Sequence, residues 1–360
     1  MTSILDSSKR YERWLAQRLR LIPRDLRLKH RKMARSAFVF LRGSFFRWVE
    51  VWPKQCHALI EAPRVLGVGD LHAENFGTWR DREGRLAWGV NDFDEAAVVP
   101  YTNDLVRLCT SAALAIEDSP WRLSMRRACE AVLDGYTESL SQGGAPIVLG
   151  KSNAWLRELA EARLKAESRF WRRLTGLPTI RLPPDIRRLL AAAMPQRKLQ
   201  FRAVHRIAGV GSLGRQRFTA LATWRGGMIS REAKALTGSA WDWPRTERPR
   251  SRIHYAEAVK HAIRMHDPSL RIRGAMVIRR LAPDCRKVEF TELPRKAHVP
   301  ELLRMMGAET ANVHLGTRHA AKAILADLKH RKRRWLEEAT ARMRDATLSD
   351  WREWRRKHQP

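Results

Sequence analysis

Apolar positions recur at two different spacings along this 360-residue chain, and the change from one to the other divides it. Residues 8–35 are charged and helix-prone, with a break at Pro23, whereas 36–52 are apolar enough to predict a buried helix. Short apolar runs from Val65 to Val68 and from Arg85 to Val90 predict two strands, each delivering the chain into an acid, Asp70 or Asp92. Pairing these neighbours through a turn is the simplest arrangement and would bring both acids to one small sheet. From 103 to 142 the spacing becomes three and four (Leu105, Leu108, Ala112, Leu114, then Leu123, Cys129, Val132, Tyr136, Leu140), the mark of helix. Gly143, Gly144 and Pro146 interrupt it; 152–175 predict a charged amphipathic helix and 185–193 a short one.

Near Pro195 the pattern switches to alternation. Residues 201–235 predict three antiparallel strands, with a glycine loop in the first turn and Gly226-Gly227 in the second. Ser251 to His266 predict a helix stopped at Asp267-Pro268, Met276 to Leu281 and Lys287 to Leu293 two more strands, and 298–342 a return to helix. The order predicts an α+β protein: a helical part over 1–190, a small β-rich part over 195–295, and helices of 296–360 returning to the first part, followed by a basic tail.

Charge adds to this picture. Lys and Arg number 69 against 38 acids, a net charge of +31, which favours polyanionic partners such as nucleotides, nucleic acid or anionic lipid. The arginines are spread over the whole chain, so solvated charged faces account for most of the excess. Cys56, Cys109, Cys129 and Cys285 lie far apart with no C-x-x-C pair, which argues against a zinc site or a disulfide framework. No basic-then-apolar leader is evident, and no apolar run approaches the roughly 18 residues of a membrane span. The expectation is a cytoplasmic protein.

Two groups of residues carry candidate chemistry. Gly209-Val-Gly211-Ser212-Leu-Gly214 matches G-x-G-x-x-G, whose glycines let backbone N–H groups approach phosphate oxygens. The segment after it alternates like a strand, which excludes a dinucleotide fold and leaves a phosphate-covering flap. Lys234 falls on the third strand, where it would meet phosphates together with Glu257 of the next helix; Arg231 competes for that role. The second group is Asp70-Leu-His72-Ala-Glu-Asn75 with Asn91-Asp92-Phe-Asp94-Glu95. Here Asp70 would take a proton from an acceptor hydroxyl, and Asn75 and Asp92, with Asp94 and Glu95 near, would hold Mg²⁺, a hard ion that prefers oxygen. His254, Glu257 and His261 share a helix face, but the histidines are two turns apart, a long reach for one ion. Trp335, Trp351 and Trp354 could stack on bases, although packing of an amphipathic helix explains them better.

These motifs resemble the catalytic loop and metal motif of aminoglycoside and choline phosphotransferases, within the protein-kinase-like superfamily. Phe40-Leu-Arg42-Gly43, Gly69 to Gly77, Asn91 to Glu95, Asp104-Leu-Val-Arg107-Leu and Gly209 to Gly214 together are similar to a bacterial domain-of-unknown-function family, number 2252, across about residues 30–325. The resemblance implies a two-lobed kinase-like fold and a transferase using ATP and Mg²⁺, with nucleotidyl transfer as a variant. Asp70, His72 and Lys234 would be catalytic; Gly209, Gly211, Ser212, Gly214, Lys234 and Glu257 would bind nucleotide; Asn75, Asp92 and Asp94 would bind metal. The acceptor, a small molecule or a protein, is unspecified. Two departures stand out. The catalytic motifs precede the glycine loop, which implies a circular permutation, with Asn312-Val-His314 in the helices that lead back into the catalytic loop. Val68-Gly69 stand where kinases carry a His before the Asp, so another group must hold Asp70, and Arg42 is the expected one. The alternative from another class is a nucleic-acid-binding protein using the basic surface, with a degenerate nucleotide site or none.

Overall fold

The computed structural model describes residues 2–162, 167–245 and 252–358. The chain opens with four helices, α1 (Ile4–Ala16), α2 (Pro23–Met33), α3 (Ala37–Gly43) and α4 (Phe45–Gln55). The last two divide the apolar run expected as one helix, because Ser44 breaks the turn between them and donates its hydroxyl back to the Phe40 carbonyl. Strand β1 (Arg64–Gly67) leads into the Asp70 motif; β2 (Phe76–Arg80) and β3 (Leu86–Val90) form a hairpin into Asp92; β4 (Ala97–Pro100) follows. Next come α5 (Tyr101–Glu117), α6 (Met125–Ser141), α7 (Ala154–Glu161), α8 (Glu167–Thr175) and α9 (Pro184–Ala192). Strands β5 (Arg202–Val204), β6 (Arg217–Trp224) and β7 (Gly227–Ala235), helix α10 (Tyr255–His261), and strands β8 (Arg271–Arg273) and β9 (Met276–Arg280) precede α11 (His298–His314), α12 (Ala320–His330) and α13 (Trp335–His358).

The described residues form a mixed architecture, with three small antiparallel sheets and many helices. The two strands expected to pair do not. Strand β1 pairs with β4, and β3 pairs with β2, a strand the apolar pattern did not reveal. The two acids still converge, for a backbone reason. Gly69, at φ +76°, lies so close to the Glu95 carbonyl that a Cβ there would collide with it, and the left-handed conformation suits glycine. The third sheet runs β5-β6-β7-β9-β8. Its first three strands lie where alternation put them. Lys287 to Leu293 is not a strand, since Glu289 and Glu292 form a reciprocal capping box around a short 3₁₀ turn. Helix α10 covers only Tyr255–His261, and Ser251 lies outside the described residues.

Helix α5 is buried along nearly its whole length at the centre of the main core. Helices α6 and α11 cross closely, and glycines permit it: a Cβ on Gly307 would strike the Val132 carbonyl. Trp335 and Trp354 are buried in α13, where Trp354 packs on His30 and Phe40, so neither is presented for base stacking. One face of the five-stranded sheet packs Ala220, Ala233 and Ile278 against Ile186 and Leu190 of α9. Alternation along each strand then turns Arg217, Thr219, Glu232, Lys234 and Arg279 to the opposite face. Among the described residues, no helix is long and apolar enough to cross a membrane.

Candidate active site

Asp104, buried in α5, accepts hydrogen bonds from the backbone N–H groups of Val68 (2.6 Å) and Gly69 (3.0 Å), fixing the end of β1. His314 of α11 lies 3.2 Å from the same carboxylate. The next residue in the chain is Asp70. Its carboxylate accepts from Arg107 Nε at 2.8 Å and also from Arg107 Nη2. Arg107 is fully buried, sits over the rings of Phe45 and Trp48, and also donates to the Leu41 carbonyl. Arg107, not Arg42, therefore holds Asp70. Arg42 pairs instead with Glu74 at 2.7 Å, because Asp70 faces α5, one turn beyond Asp104. Burial pushes the Asp70 carboxyl up to about 7, against the opposing pull of Arg107.

Asn75 is buried and donates its side-chain amide to the Asp70 carbonyl at 3.0 Å, closing the loop between the two residues. His72 is buried, and burial, then the charge of Arg42, keeps its ring neutral; its Nδ1 has no hydrogen-bond partner among the described residues. Asp92 and Asp94 meet Lys234 of β7. Lys234 Nζ lies 3.2 Å from both Asp92 oxygens and 2.7 Å from Asp94 Oδ2. The two carboxylates titrate as a pair. Burial raises both, but Lys234 and a hydrogen bond from Asp94 outweigh it at Asp92 and hold that group ionised. Asp94 is pushed up to about 6 by burial and then by the Asp92 charge. Among the described residues, Asp94 Oδ1 is buried without a hydrogen-bond partner.

The glycine loop spans the turn between β5 and β6 and covers this cluster. A Cβ on Gly211 would sit 3.5 Å from Asp70 Oδ2 and 3.1 Å from the Arg42 carbonyl. Distant segments and the adjoining strand β6 hold the loop in place. Lys29 of α2 donates to the Gly211 carbonyl at 3.1 Å, Ile22 donates its N–H to Gly214, and Ser212 accepts from Arg217 at 2.9 Å. Asp70, His72, Asn75, Asp92, Asp94, Gly209, Gly211 and Ser212 all line one cavity of about 50 Å³, next to a wider cleft of about 890 Å³.

Two expected partners stand elsewhere. Glu257 is bound by Arg252 and His254 on the surface of α10, so the expected pair with Lys234 does not form. Glu95 does not add to the metal-ligand set: its carboxylate takes Arg215 at 2.6 Å and the Ala240 N–H at 2.6 Å. Arg231 lies on the opposite face of β7 from Lys234 by alternation and donates to the Ala193 carbonyl. Sequence reasoning quoted Arg107 within a motif but gave it no role, and it missed Arg215 and Lys29. An Arg on a helix whose apolar spacing predicts burial signals a buried ion pair, whereas nothing local marks the other two.

Residues 20–175 match the model of a bacterial family described as an uncharacterized protein conserved in bacteria, DUF2252. This supports the family resemblance over the segment that carries both acidic motifs. No curated protein matches the chain, and no solved structure matches it.

Proposed function

We propose that this protein is a phosphotransferase of the kinase-like superfamily, in a circularly permuted arrangement, which uses ATP and Mg²⁺ to phosphorylate a hydroxyl-bearing acceptor. The observation that carries the reading is the meeting of three distant motifs. Lys234 touches both Asp92 and Asp94 beneath a glycine loop that closes over Asp70. Such catalysis is mostly positioning and electrostatic stabilisation, which explains why the site is built from buried, mutually held charges. The chain's path supports the permuted reading: it builds the Asp70 and Asp92 motifs first, crosses to the five-stranded sheet, and returns through α11, whose Glu309 accepts the Val90 N–H at the end of β3.

Asp70 takes the proton as the acceptor oxygen bonds to the γ-phosphorus and the bridging bond to ADP breaks. A carboxyl near 7 takes up and releases a proton readily at neutral pH. Lys234 and the loop N–H groups hold the phosphates. Arg107 keeps Asp70 oriented, and neutral His72 offers a hydrogen bond to substrate without adding charge. The residues fit a hard divalent ion: Asp94 Oδ1 is buried and unpartnered, and Asp92 is ionised and a third exposed. Asp92, Asp94 and Asn75 would hold Mg²⁺, which when bound neutralises phosphate charge.

Calorimetric titration of ATP, with and without Mg²⁺, into wild type and Asp92→Asn tests the reading. Mg²⁺-dependent binding that the variant loses is the expected result. Absence of nucleotide binding to the wild type under both conditions would overturn the proposal.

A further inference from the structure

A second assembly of charge lies on the same sheet face, outside the Asp70 cluster. Glu232 of β7 is wholly buried and receives three guanidinium groups: Arg206 at 2.6 Å, Arg217 at 2.5 Å and Arg279 at 3.0 Å. Burial pushes this carboxyl up, but the three arginines together outweigh burial and keep it ionised. Three cations on one anion leave two positive charges in excess. Arg217 is buried, whereas Arg206 and Arg279 keep 24% and 25% of their side chains exposed. All three line the cleft of about 890 Å³, to which Arg169, Arg173 and Lys287 also contribute.

We propose that this cleft binds a small ligand carrying two or more phosphate groups, seated on Arg206 and Arg279, with Glu232 anchoring the guanidinium groups rather than saturating them. Guanidinium forks match the oxygens of phosphate in geometry and charge. Arg217 and Arg279 of this sheet face line the cleft, whose charged lining is mostly basic, ten Lys and Arg side chains against four acids. The volume is that of a small-molecule site, whereas nucleic acid would follow an exposed basic stripe. The site requires only the arginines, so it does not depend on the phosphotransfer reading.

The test is calorimetric titration of metal-free tripolyphosphate at about physiological salt. The proteins are wild type, Arg206→Gln, Arg279→Gln, Arg279→Lys and the surface control Arg126→Gln, each checked by thermal melting. One-site binding is expected, weakened about tenfold or more by either cleft Gln variant, less by Arg279→Lys, and unchanged in the control. Where a Gln variant melts early, Arg279→Lys, which keeps the charge but loses the fork, provides the comparison. Repeating the titration with saturating Mg²⁺ and ATP distinguishes the source: competition assigns the phosphates to the donor nucleotide, simultaneous binding to an acceptor. Metal-free tripolyphosphate binding by wild type is read independently of the Mg²⁺-dependent ATP titration, so failure of the nucleotide reading and failure of this one can be told apart. The proposal is overturned if wild type does not bind, if the control weakens as much as the cleft variants, or if a short RNA binds more tightly and weakens equally with every arginine variant.

Discussion

Replacing Arg107 with Met removes the cation from a pair that is almost dry: the side chains of Arg107 and Asp70 are 1% and 14% exposed. Breaking a buried pair on one side costs about 3–5 kcal/mol, because the remaining charge loses its partner while still desolvated. The loss here should fall in that range at neutral pH, since Met restores the packing against Phe45 and Trp48 but not the bonds to Asp70 and the Leu41 carbonyl. The sign of the pH dependence follows from Asp70. Its carboxyl is already raised to about 7 by burial, and Arg107 is the main influence holding it down. Without Arg107 it rises further, so the folded variant binds a proton that the unfolded chain releases. The deficit should therefore grow as pH increases from about 6 to 8, by up to about 1.4 kcal/mol per pH unit. Urea unfolding followed by tryptophan fluorescence measures this across the pH range for wild type, Arg107→Met, Asp70→Asn and the double variant. Asp70→Asn should recover a large part of the loss in the Arg107→Met background, a coupling of about 2 kcal/mol or more. Additive losses, or a deficit that does not change with pH, would refute the argument.

If Asp70 is the base, the transfer rate should climb about tenfold per pH unit below about 7 and level off above it; Asp70→Asn should abolish transfer while nucleotide binding persists, and a pH-independent rate would remove Asp70 from that role. Gly211→Val should weaken nucleotide binding in calorimetry by about tenfold or more, because its Cβ alone would stand 3.1 Å from the Arg42 carbonyl; unchanged affinity would place the phosphates elsewhere. The Lys29 ammonium is lowered to about 8, first by burial and then by Arg215, so the folded chain binds fewer protons than the unfolded one between about 8 and 10.5, and Lys29 adds to stability as pH rises through that window. Lys29→Met should accordingly lose ground to wild type from about pH 8 to 10 in thermal melts, and a constant difference would contradict the burial argument. Gly307→Val should cost about 3 kcal/mol or more in urea unfolding, since the α6–α11 crossing leaves no room for a Cβ; a neutral result would mean that the helices can separate.

Much of the local structure was legible in the sequence because local rules govern it. The helical spacing of 103–142, the alternation of 201–235 with its glycine turns, and the breaks at Pro23 and Gly143 each follow from properties of neighbouring residues. The two acidic motifs and the glycine loop also stood out by residue type as the segments to watch, without any knowledge of the fold, and they meet in one cavity. What sequence could not supply was partnership. Ion pairs and strand pairs form between segments whose separation along the chain carries no record of their distance in space. Asp70 takes Arg107 instead of Arg42, Lys234 takes Asp92 and Asp94 instead of Glu257, and β1 takes β4 instead of β3. Burial decided the rest. An isolated Asp titrates near 4 wherever it stands in a sequence, and only the packing of α5, the glycine loop and the sheet around Asp70 and Asp94 brings them to about 7 and about 6.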